Sequence, residues 1–126
     1  MKRLWFAAAL MAGLLLLSVL GAGLVRNRTQ AVVDKLESAQ QAGESKDAES
    51  AALYTREAAE LWEKYTPLLD ALVRHEEIHG VGGALEELQV YANLRQPEEF
   101  FSRCARLLND LRHIRESELP LLHNLL

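Results

Sequence analysis

Hydrophobic and polar residues divide this chain into two unlike parts. From Leu4 to Val25 no charged residue occurs, and apolar side chains face every direction of a helical wheel. Those 22 residues, rising 1.5 Å each, make a helix of about 33 Å, enough to cross a hydrocarbon core of roughly 30 Å. From about Thr29 onward the pattern changes to apolar stripes three and four residues apart, the period of helices that turn one face to a core. No stretch alternates as a half-buried strand would. The pattern predicts an all-α chain: an N-terminal transmembrane helix over residues 1–28, followed by a small antiparallel helical bundle over residues 29–126.

Within the second part, Val32, Val33, Leu36 and Ala39 form a first stripe over about Thr29 to Ala42, which can simply continue the membrane helix. Gly43-Glu44-Ser45 interrupts it, and Ser45 or Asp47 caps the next helix, giving a helical hairpin. That helix carries Ala48, Ala51, Ala52, Ala58 and Ala59, then one face made by Leu61, Trp62, Tyr65, Leu68, Leu69, Leu72 and Val73. Pro67 lacks an N–H and crowds the preceding turn, so Thr66-Pro67 predicts a kink or a fresh helix start. Gly80, Gly82 and Gly83 are expected to end the helix, with a third over about Ala84 to Asn93 turning Leu85, Leu88 and Tyr91 inward. Pro97 opens a fourth helix, with Glu98 and Glu99 at the positive end of its dipole. Phe100, Cys104, Leu107, Leu111 and Ile114 make its stripe, flanked by Phe101 and Leu108, and Pro120 ends it.

Charge adds an orientation. Lys2 and Arg3 precede the apolar run and Arg26 and Arg28 follow it, so the flanking cations nearly balance. The three-residue amino-terminal tail with its two cations reads as the start of an export signal. This predicts a single-pass protein of the cell membrane with its C-terminal domain extracytoplasmic. A secreted helical ligand-binding module, freed by cleavage near Val19-Leu20-Gly21 or Leu20-Gly21-Ala22, is the competing reading. The run is longer than the roughly 7 to 15 apolar residues of an ordinary signal peptide, which favours retention. Setting Lys2 and Arg3 aside leaves 12 basic against 18 acidic residues, about minus 6 in all, which argues against nucleic acid or an anionic lipid surface as the main partner. Cys104 is the only cysteine, so no disulfide can close within the chain, and its apolar neighbours mark it as a small buried hydrophobe.

One motif invites a catalytic reading. His75-Glu76-Glu77-Ile78-His79 matches H-E-x-x-H, in which two histidines one turn apart bind zinc and the glutamate polarises water. A membrane-tethered zinc hydrolase with His75 and His79 as ligands and Glu76 as base is therefore an alternative function. The longer metzincin pattern would place a histidine where Leu85 stands, and no strand is predicted to hold a peptide substrate. The expectation is no enzyme, no cofactor and no metal. Glu76-x-x-His79 and Asp110-x-x-His113 also resemble the paired signatures of di-iron bundles, but His113 falls opposite the apolar stripe of its helix. If the second helix ran on, Glu76 would extend the face of Leu68, Leu69, Leu72 and Val73, with His79 as the partner in a structural polar pair. Both histidines would then sit near a helix C-terminus, where the dipole favours a cation. Arg103, Arg106, Arg112 and Arg115 read as a solvated face.

The anchor, the Trp62 helix, the His75-to-His79 segment and the ending Glu116-Ser117-Glu118-Leu119-Pro120 with Asn124-Leu125-Leu126 together resemble a family of small bacterial single-span membrane-anchored helical proteins of unknown function. The resemblance runs nearly the full length, and at His79 the chain departs from a position that the family's pattern commonly fills with an acid. It implies an anchored helical domain and no catalytic residues. The expected role is a binding or interaction module of the bacterial cell envelope. Leu4 to Val25 would meet membrane lipid, and a protein partner or a second copy would be engaged through a tail containing Leu121, Leu122, Leu125 and Leu126.

Overall fold

In the computed structural model, which describes residues 1–116, the first stripe and the apolar run belong to one helix. α1 spans Lys2–Glu44 without a break, 43 residues in all. Three shorter helices follow: α2 (Ala48–Leu72), α3 (His75–Asn93) and α4 (Pro97–Glu116). Each packs on its neighbour in sequence, and α4 closes the ring against α1. The result is an all-α bundle with up-and-down connections, and no strand occurs among the described residues.

The two halves of α1 use their apolar residues differently. From Lys2 to Leu17 almost every side chain is exposed, whereas Val32, Val33, Leu36 and Ala39 are fully buried. Packing begins inside the expected anchor, since Ser18 and Val25 are already buried and Ala22 is partly so. No hinge separates the anchor from the bundle.

α2 and α4 bury their predicted faces. Trp62 and Leu69 are buried in α2, with Leu61, Tyr65, Leu72 and Val73 partly so; Leu68 is exposed. In α4, Phe100, Cys104, Leu107, Leu108, Leu111 and Ile114 fill the centre, while Phe101 is exposed. Arginines of α4 reach across helices, Arg103 to Glu87 at 2.7 Å and Arg112 to Glu37 at 3.2 Å, so the expected solvated face also ties α4 to α3 and α1. Lys35 meets Glu57 at 2.7 Å between α1 and α2. The Glu57 hydrogen bond and charge raise the Lys35 pKa above its ordinary value.

Helix boundaries depart from expectation at three places. α2 continues through Pro67. Proline removes only the donor that the Glu63 carbonyl would take, both residues are exposed, and the Thr66 hydroxyl donates to the Trp62 carbonyl at 2.6 Å. The chain instead leaves the helix at Val73 and Arg74, whose backbones are extended. Gly80, Gly82 and Gly83 lie inside α3, none with positive φ. The Trp62 indole explains the tolerance in part: its Nε1–H donates to the Ile78 carbonyl at 3.2 Å, holding this stretch of α3 against α2.

At the opposite end two turns share one design. α1 ends with Lys46 in the left-handed region (φ 61°), its N–H donating to the Gly43 carbonyl at 3.1 Å and that of Asp47 to Ala42 at 2.9 Å. α3 ends with Arg95 likewise (φ 54°), Arg95 N–H donating to Ala92 at 3.3 Å and Gln96 N–H to Tyr91 at 3.2 Å. Both are Schellman closures, in which the two residues after the helix satisfy its last carbonyls. Asp47 then caps α2, accepting from the Ser50 N–H at 3.1 Å and the Ser50 hydroxyl at 2.6 Å. These bonds lower the Asp47 pKa.

Candidate functional site

The break at Val73 and Arg74 decides the geometry of the histidine segment. In one continuous helix Asp70 and His75, five residues apart, would point about 140° away from each other. Because the chain turns back instead, His75 begins α3 and faces the last turn of α2. His75 Nδ1 lies 3.2 Å from Asp70 Oδ1, and the His75 and His79 ring centroids are 3.9 Å apart with planes tilted by 56°. One ligand atom each from Asp70, His75 and His79 falls within 4.8 Å of the others.

The same break corrects the expected polar pair. Glu76 does not extend the apolar face of α2; it is exposed on the first turn of α3 and shows no hydrogen bond or ion pair with His79. The carboxylate beside the histidines is Asp70, which sequence reading missed because its spacing to His75 has no meaning within one helix. The histidines also stand at a helix N-terminus and not at a C-terminus. A groove of about 480 Å³ between α2 and α3 is lined by Trp62, Thr66, His79, Gly82 and Glu86, but by none of Asp70, His75 and Glu76. The residue assigned as base in the hydrolase reading therefore does not line the adjoining cleft.

The other candidates separate plainly. Cys104 is buried, its Sγ 3.7 Å from the Leu36 carbonyl oxygen, and burial pushes the thiol up to about 12. Such a thiol stays protonated at neutral pH and does not act as a nucleophile. Asp110 and His113 are exposed, away from the core. Glu118 and the tail leucines Leu121, Leu122, Leu125 and Leu126 lie outside the described residues.

A second concavity, unforeseen from the sequence, occurs where the two Schellman turns meet. Tyr91, Phe100, Ala48, Ala51 and Ala92 line an apolar groove of about 400 Å³, with Lys46 and Arg95 beside it. Its signal in the sequence is faint, because it depends on two loops far apart in the chain.

A family model described as a domain of unknown function (DUF4363) matches residues 20–125. The chain belongs to that family. The DUF4363 match takes in the bundle portion of α1 and all of α2, α3 and α4. It agrees with the resemblance to a family without an assigned role. No curated protein and no solved structure matches the chain.

Proposed function

We propose that this DUF4363 protein is a single-pass anchored module whose helical bundle acts by protein contact and carries out no chemistry of its own. The observation that carries the reading is the contrast within α1. Its first half is apolar on all sides and exposed, and the stretch as a whole is long and apolar enough to cross a membrane. Only lipid or another apolar surface makes such exposure favourable, at roughly 25 cal/mol for each Å² removed from water. Its second half is one stave of the bundle.

The contact surface in this reading is the end farthest from the anchor, where the apolar groove opens and Val90, Leu94 and Phe101 are 53%, 60% and 46% exposed. Two measurements test the proposal. The full-length chain should stay with membranes after an alkaline wash, and a photocrosslinker replacing Phe101 should give a discrete adduct that one replacing Arg106 does not. Release by the wash would refute the anchor. Equal labelling from both positions would refute the contact surface.

A further inference from the structure

We infer that Asp70, His75 and His79 form a binding site for one transition-metal dication of the zinc class, at the end of the bundle from which the apolar half of α1 emerges. The position follows from register. Arg28 of α1 stacks over the Tyr65 ring at 5.0 Å, and Lys35 meets Glu57. The two helices therefore run antiparallel, and the last turn of α2 lies beyond Tyr65 toward the anchor.

Three features support a metal over a simple ion pair. The donors are two imidazoles and one carboxylate, a set that suits zinc, cobalt, nickel or copper better than magnesium or calcium. Two histidines at positions i and i+4 project from one helical face, and a carboxylate from another helix completes a three-point set, leaving further positions to water. The ligand atoms, within 4.8 Å of one another, need to close only to the roughly 3.3 Å spacing set by bonds of about 2.0–2.1 Å in a tetrahedron. The His75 side chain, 72% exposed, has room to turn toward the half-buried Asp70.

The consequence is local ordering. The first half of α3 holds Gly80, Gly82 and Gly83, residues that weaken a helix, and a metal held by His75 and His79 would fix its opening turn to the end of α2. The role is structural: no substrate, base or bond-breaking step is assigned to the metal.

The test uses the untagged full-length chain in detergent, stripped with a chelator and titrated with zinc chloride alone, then with cobalt chloride. One equivalent should bind, cobalt should give the visible bands of a low-coordinate nitrogen and oxygen site, and amide exchange should slow at residues 75–83. His75→Gln, His79→Gln and Asp70→Asn each remove or weaken a direct ligand and should weaken binding by more than the roughly tenfold to hundredfold that loss of an outer-shell partner costs. Both histidines are exposed and Asp70 is half-buried, so helicity should be unchanged in the histidine variants, and His113→Gln should bind as the parent does. Absence of stoichiometric binding, or binding in the His75→Gln or His79→Gln variant as tight as in the parent, would overturn the inference.

Discussion

The two halves of α1 share one backbone conformation, yet they differ in how densely apolar residues occur and in what surrounds them. Between Leu4 and Leu17 apolar side chains point in all directions and stay exposed; between Val25 and Ala39 they fall on one stripe and are buried. The angular spread of apolar residues therefore separates them: the first half is long and apolar enough to span a membrane, and the second turns one side to a protein core. Mutations placed in matched positions should separate the two.

The largest expected effect comes from a charge in the striped half. Leu36→Asp places an unpaired carboxylate at a fully buried position and should abolish cooperative unfolding, whereas Leu16→Asp should leave the bundle folded and weaken membrane retention; circular dichroism melts and fractionation read the two outcomes. A bundle that survives Leu36→Asp would break the comparison. Leu36→Ala should cost about 2–5 kcal/mol in a denaturant titration. Removing residues 1–17 should yield a helical protein that needs no detergent, because nearly all the buried positions of α1 lie beyond Leu17.

Smaller effects refine the picture within the bundle. The Thr29 hydroxyl is buried and finds no partner among the described residues, so Thr29→Val should stabilise by about 1 kcal/mol. Lys46→Gly relieves a left-handed residue at the end of α1 and should add about 1 kcal/mol. The least change concerns acid. Because Asp47 has a lowered pKa, the stability it contributes is present above the ordinary carboxylate range and is lost as pH falls through the lowered value. Asp47→Asn keeps the cap but removes that titration, and should flatten the stability curve on its acid side.

Elements with a strong period were legible in the sequence. The α4 stripe is buried almost residue for residue, and so are the four stripe positions of α1. Local punctuation marked true boundaries at Gly43-Glu44-Ser45, Asp47 and Pro97 and misled at Pro67 and the glycines of α3, because its weight depends on tertiary surroundings. Pro67 lies on an exposed side of α2, where the undonated carbonyl can meet water, and among the glycines of α3 Gly82 packs against Trp62 while Gly80 and Gly83 face open space. The end that went unforeseen is the extended pair Val73 and Arg74, residue types that carry no stop signal. The histidine segment was visible as a motif, but its carboxylate neighbour was not. Asp70 reaches His75 only because the chain leaves the helix between them.

The unbroken course of α1 limits how far the bundle can travel. From Arg26 to Glu44 the rod extends about 28 Å, and no flexible tether lengthens it. If α1 is anchored as proposed, the bundle is a short post on a two-dimensional sheet, and whatever it engages must itself come within about that height of the lipid.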